Sequence, residues 1–144
     1  MNEQALLEQL ERHEGLRLKL YKDSVGKWSI GIGRNLQDKG ISHEEAMAML
    51  HNDVAEHCAL LDKYLPWWRN LDETRQQVLA NMAFNMGIGP SPEHPEGKLL
   101  TFKNTLANIE RGEYAAAADG MLASLWAKQV GKRAQELADM MRTG

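Results

Sequence analysis

The segment LRLKLYKDSVGKWSIGIG, Leu16 to Gly33, does most to limit what this chain can fold into. Leu18 and Leu20 alternate with Lys19 and Tyr21, KDSVGK is a cluster of turn formers, and Trp28, Ile30 and Ile32 then alternate with Ser29, Gly31 and Gly33. Alternation with period two belongs to strands, so the segment predicts a hairpin, or a small sheet of two to three strands. Its glycines weaken a strand and point to close backbone approach, such as that of a ligand. On either side the pattern is helical. Leu6, Leu7 and Leu10 mark one face of a helix over 3–14, and Gly15 is placed to stop it.

After the hairpin, SHEE is a capping box in which Ser42 caps and Glu45 reaches back. The helix it opens carries Ala46, Met49, Leu50, Val54 and Leu61 at helical spacing and should end before Pro66. Asp72 opens another helix, through Val78, Leu79, Met82 and Met86, which Gly87 ends. GIGPSPEHPEGK is a loop, and three helices follow at about 100–109, 113–124 and 126–142. The expected class is α+β, mainly α-helical: a small N-terminal hairpin lobe, about 15–40, joined by a long helix to a helical C-terminal lobe. At 144 residues this is one domain, 1–144, long enough for a hydrophobic core. A cleft between two such parts is a natural ligand site.

Charge and cysteine usage remove several functions. A net charge of -3 gives no electrostatic support to nucleic-acid binding. The single cysteine, Cys58, excludes an intramolecular disulfide and paired-cysteine metal sites, and is expected as a small apolar filler. His43, His51 and His57 fall on one helix without metal-ligand spacing, so no metal or cofactor is expected. The opening MNEQALLEQLERHEG carries charges where a secretion signal needs an apolar stretch. No run is apolar enough to span a membrane. The expectation is a monomer kept in a reducing cytoplasm. Trp67 and Trp68 are expected to half-bury at the end of the long helix, and Met47, Met49, Met82, Met86, Met121, Met140 and Met141 to fill the core. Lys128, Lys132, Arg133 and Arg142 make the last helix modestly basic, as an ordinary solvated face does.

Two carboxylates flank the start of the hairpin: Glu14 at the helix end and Asp23 in the turn. A glycosidase needs an acid that donates a proton to the leaving oxygen, and a carboxylate that orients water or stabilises positive charge on the sugar. Ser29 on the returning strand could add a hydroxyl. Spacing alone leaves a plainer reading open: a solvated Glu at a helix end, an Asp bonding its own turn, a Ser on an outward face.

HEGLRLKLYKDSVGKWSIGIG resembles the N-terminal motif of phage-type lysozymes, the endolysins of the T-even bacteriophage class (glycoside hydrolase family 24). In that family a Glu followed by Gly, then an Asp, then a Thr form the catalytic triad. Here they fall on Glu14, Asp23 and Ser29, with eight and five residues between them. NLDETRQQVLANMAFNMG resembles the family's central buried helix, and FKNTL and SLWAKQVGKRAQEL its later ones, including Trp126 and Arg133. The chain departs from the family at Ser29 in place of Thr, at Arg34 in place of a frequent His, and in a longer loop 88–98.

The resemblance implies a lysozyme-like fold and hydrolysis of the β-1,4 bond between N-acetylmuramic acid and N-acetylglucosamine in peptidoglycan. It makes Glu14 the general acid, Asp23 and Ser29 its water-holding partners, and Arg133 a supporting cation against the glutamate. Peptidoglycan strands are the implied partner, without membrane insertion. A separate pore protein is the implied route from host cytoplasm to periplasm. Two rivals stand beside this reading: a lytic transglycosylase cleaving the same bond, and a non-catalytic peptidoglycan-binding module.

Overall fold

The structure is a computed structural model that describes residues Met1–Gly144. Its backbone forms two compact units, Met1–Met49 and Leu50–Gly144. The first unit takes in the helix before the hairpin and the start of the long helix, as well as the strands.

In the first unit, helix α1 (Glu3–Glu14) is capped by the Asn2 side chain and closed by the Gly15 N–H on Glu11 O, with Gly15 at φ 77°. That torsion is cheap only for glycine. Leu6, Leu7 and Leu10 do share a face, but α1 buries none of its residues, and Leu7 and Leu10 are 51% and 39% exposed. Three short antiparallel strands follow in the order β1-β2-β3: β1 (Arg17–Lys22), β2 (Trp28–Gly31) and β3 (Arg34–Asn35). The first pair carries a bulge between Arg17 and Tyr21, and the second pairs Ser29 with Asn35 and Ile30 with Arg34. A single turn of helix, α2 (Leu36–Lys39), is capped by Asn35. It had no sequence signal, because four residues are too few to show a period. From it Gln37 accepts the Trp28 N–H at 3.2 Å and Asp38 pairs with Lys27 at 3.3 Å, which fastens the start of β2.

Helix α3 (His43–Tyr64) begins at the expected capping box: Ser42 N–H donates to Glu45 at 2.8 Å, and the Glu45 N–H to Ser42 Oγ at 3.1 Å. Met47 and Met49 on its first turns are 38% and 49% exposed rather than core-filling.

The hydrophobic core belongs to the second unit, where the buried apolar side chains run from Leu60 to Met141. A 3₁₀ turn, Pro66–Asn70, buries Trp68 to 2% exposure with its indole N–H on Asp62, so that ring goes further in than the expected half-burial. Helix α4 (Glu73–Met86) is capped by Asp72 and contributes Val78, Leu79, Met82 and Ala83 to the core. Helices α5 (Lys103–Glu110), α6 (Tyr114–Leu122), α7 (Leu125–Val130) and α8 (Lys132–Thr143) complete it. The single helix expected over 126–142 is therefore two: Ser124 caps α7, and Gly131 at φ 57° turns the chain before α8. Arg75 closes the far end of α8 by donating to the carbonyls of Met141 and Arg142 at 2.7 and 3.1 Å, with its guanidinium over the Tyr114 ring.

Loop 88–98 is tied down despite its prolines. His94 Nδ1 accepts the Ile88 N–H at 3.0 Å, and the His94 ring lies 5.2 Å from that of His57. Glu93 pairs with Lys63 at 2.8 Å and accepts the Tyr64 hydroxyl. These partners hold the Glu93 carboxyl down from its ordinary 4.5 to about 2, the Lys63 bond being the largest cause. A lowered folded pKa contributes stability that is complete above the ordinary value and is lost as pH falls towards 2. The melting temperature of wild type should therefore exceed that of Glu93→Gln at pH 6, and the two should converge between pH 4.5 and 2. A gap that stays constant over that range would show that the ionised Glu93 pair is not its source.

Candidate active site

Glu14 is the last residue of α1 and is exposed. With Leu7, Leu10, Glu11, Ile32 and Gly33 it lines a depression of about 480 Å³ in the first unit. Its side chain lies against the backbone of Gly33: a β-carbon at Gly33 would come within 2.6 Å of Glu14 Oε2. Gly33 also has φ +69°, so both space and torsion call for glycine.

Asp23 and Ser29 meet at Lys27. The Asp23 carboxylate does what its turn position suggested: Oδ1 accepts the N–H groups of Val25 and Lys27 at 3.0 and 2.8 Å. That fixes the carboxylate's orientation and leaves Oδ2 free. Ser29 is buried at 2% exposure rather than on an outward face, and its hydroxyl donates to the Lys27 carbonyl at 3.3 Å. One lysine backbone thus donates its N–H to the Asp23 carboxylate and accepts at its carbonyl from the Ser29 hydroxyl. The depression beside Glu14 and the Asp23–Lys27–Ser29 turn lie in the same unit.

Arg133 lies in the second unit, where its Nε and Nη2 donate to Asn81 Oδ1 at 2.9 and 2.7 Å. It borders a groove of about 380 Å³ with Val54, His57 and Phe84. A second groove, about 550 Å³, has Trp126 and Phe102 in its wall, with the Trp126 indole N–H on Asn85 at 2.7 Å.

Comparison with known proteins decides the family, since the one described as phage lysozyme matches residues 11–142. The chain belongs to the phage lysozyme family. Probable T4-type lysozyme 1 of Dictyostelium discoideum is 28% identical over 97% of this chain and 95% of its own length. An endolysin of Acyrthosiphon pisum secondary endosymbiont phage 1 is 30% identical over 86% of this chain and 80% of its own. The pre-baseplate central spike protein Gp5 of Enterobacteria phage T4 is 28% identical over 97% of this chain, which is 28% of the spike protein.

For a phage lysozyme, sequence reasoning missed three supports of these side chains. Lys27 belongs to a run of turn formers, yet its backbone joins Asp23 to Ser29. Gly33 carried a general signal of close approach, and the group that approaches is the Glu14 carboxyl. Asn81, on a helix read only for its apolar face, holds Arg133. Each is a through-space partner that no local period announces.

Proposed function

We propose that this chain is an N-acetylmuramidase that hydrolyses the β-1,4 bond between N-acetylmuramic acid and N-acetylglucosamine in bacterial peptidoglycan, as an endolysin in host lysis. The observation that carries the reading is the exposed Glu14 carboxyl on its depression, in one unit with the oriented Asp23 carboxylate and the Ser29 hydroxyl. Glu14 is the general acid and protonates the leaving glycosidic oxygen. Asp23 Oδ2 accepts a proton from the attacking water and offsets positive charge on the sugar ring. Ser29 Oγ keeps lone pairs with which to accept a second bond from that water.

Water attack leaves a reducing muramic acid end. A lytic transglycosylase instead lets the sugar's own 6-hydroxyl attack and leaves an anhydro ring, one water lighter. Mass spectrometry of muropeptides from purified peptidoglycan separates the two, and an anhydro product would overturn hydrolysis. A non-catalytic binder would sediment with peptidoglycan and release nothing. If water attacks opposite the leaving group the anomer inverts, so proton NMR of a fresh digest should show the α-anomer first.

Ser29→Ala should slow turnover by roughly tenfold or more, because an unheld water loses its attack geometry. Ser29→Thr should be near or above wild type, since it keeps the hydroxyl and its β-branch restricts the rotamer. Equal rates for wild type and Ser29→Ala on purified peptidoglycan would remove Ser29 from the site.

A further inference from the structure

Gly33 sits in the turn between β2 and β3, and little of the sheet holds that turn. Gly31 and Gly33 both have positive φ, 73° and 69°, and β3 is two residues long. Hairpins so short are marginal without outside support. Besides α2, which fastens the start of β2, the support comes from α3. Arg34, the residue after Gly33, donates Nη1 and Nη2 to the two carboxylate oxygens of Glu45 at 2.8 and 2.7 Å, and Nη1 also to Gly40 O at 3.2 Å. Glu45 is itself immobilised, because its Oε1 accepts the Ser42 N–H while its own N–H is capped by Ser42 Oγ. An unbroken series of bonded groups thus runs from the first turn of α3 through Glu45 and Arg34 to Gly33, against which the Glu14 carboxyl lies. Through Asn35, the next residue, the same strand pairs with Ser29.

Stability is only a modest part of what this pair supplies, since its side chains are 28% and 42% exposed. A bidentate guanidinium–carboxylate fork instead restricts direction, through two parallel bonds that a lysine cannot reproduce. The Arg34 bond is also the main reason that the Glu45 carboxyl is held down to about 2, so the fork stays charged throughout the neutral and mildly acid range.

We propose that Arg34 and Glu45 are positioning residues for the glycosidase reaction: their fork sets the Gly31–Asn35 turn so that Gly33 backs the Glu14 carboxyl and Asn35 holds the strand of Ser29. The proposal rests on the reading of Glu14 as the acid. Neither Arg34 nor Glu45 touches the reacting bond. Their effect reaches the chemistry through placement, so it falls on kcat. A displacement of about 1 Å in a catalytic group costs up to about a hundredfold in rate.

The experiment is steady-state kinetics on solubilised, dye-labelled peptidoglycan, with melting temperatures measured beside it. Glu45→Gln and Arg34→Lys should lower kcat by about ten- to a hundredfold with KM little changed. The exchange variant Arg34→Glu/Glu45→Arg should recover part of the loss, since it restores a fork while forfeiting the Gly40 bond. Wild-type kcat in folded Glu45→Gln and Arg34→Lys would overturn the proposal, as would an exchange variant no better than Glu45→Gln. If Glu45→Gln does not fold, Arg34→Lys decides alone, because it keeps the charge and removes only the fork. Glu14→Gln runs in the same assay. If it is active, the assignment of the acid fails, and with it this proposal. If it is inactive while the fork variants turn over like wild type, only the positioning role fails.

Discussion

Glu14→Gln is expected to abolish lysis and leave the fold intact. The side chain is exposed at the last position of α1, and the helix end is closed by the Gly15 N–H on Glu11 O rather than by the carboxylate. Gln keeps the shape, so its amide can lie against Gly33 as the carboxyl does. It has no proton to give to a leaving oxygen at working pH. General acid catalysis contributes about 10² to 10⁴ in rate, so the variant should fall below the detection of a turbidity assay on outer-membrane-stripped Gram-negative cells. The control is an unchanged melting temperature and circular dichroism spectrum. A folded variant that lyses at more than about a tenth of the wild-type rate is incompatible with Glu14 as the acid.

The largest expected effect on stability comes from Leu79→Ala. Leu79 is at 0% exposure on α4, beside Val78, Met82 and Ala83 in the core of the second unit. Truncation removes buried methyl groups and leaves a cavity that close-packed neighbours only partly refill. Such changes cost about 2–5 kcal/mol, equivalent to a fall of roughly 10 °C in melting temperature for a domain of this size. Urea denaturation should show a lower midpoint with an unchanged slope. A loss under about 1 kcal/mol would mean that α4 is not packed as described. Below the transition, rate per folded molecule should match wild type, because Leu79 lines neither the Glu14 depression nor the hairpin turn.

The readable parts of the fold share one property: their cause lies within a few residues of their effect. The Ser42–Glu45 box, the Asp72 cap and the stops at Gly15 and Gly87 each involve groups one helical turn apart, so local pattern located α1, α3 and α4. The break at Gly131 was not readable. A glycine inside a helix costs only about 1 kcal/mol, too little for sequence alone to separate a tolerated glycine from a turn. Met49 follows a helical period like any core residue, and nothing local says that it stays 49% exposed.

The same division runs through the candidate site. Glu14, Asp23 and Ser29 lie within one helix end and one hairpin, so their spacing survives as a motif; the sequence by itself determined the family, and it is the source of the three groups proposed for the chemistry. What surrounds them was decided by tertiary structure. Arg34 and Glu45 are eleven residues apart, and Arg133 and Asn81 are fifty-two. Whether such pairs meet depends on every turn angle between them. Backbone groups add a further layer that residue types do not express: the Lys27 amide and carbonyl join Asp23 to Ser29 whatever side chain stands there. A covalent chain records which chemical groups are present and how far apart they lie along it. Hydrogen bonds between distant groups depend on distance in space, and only the folded path sets that.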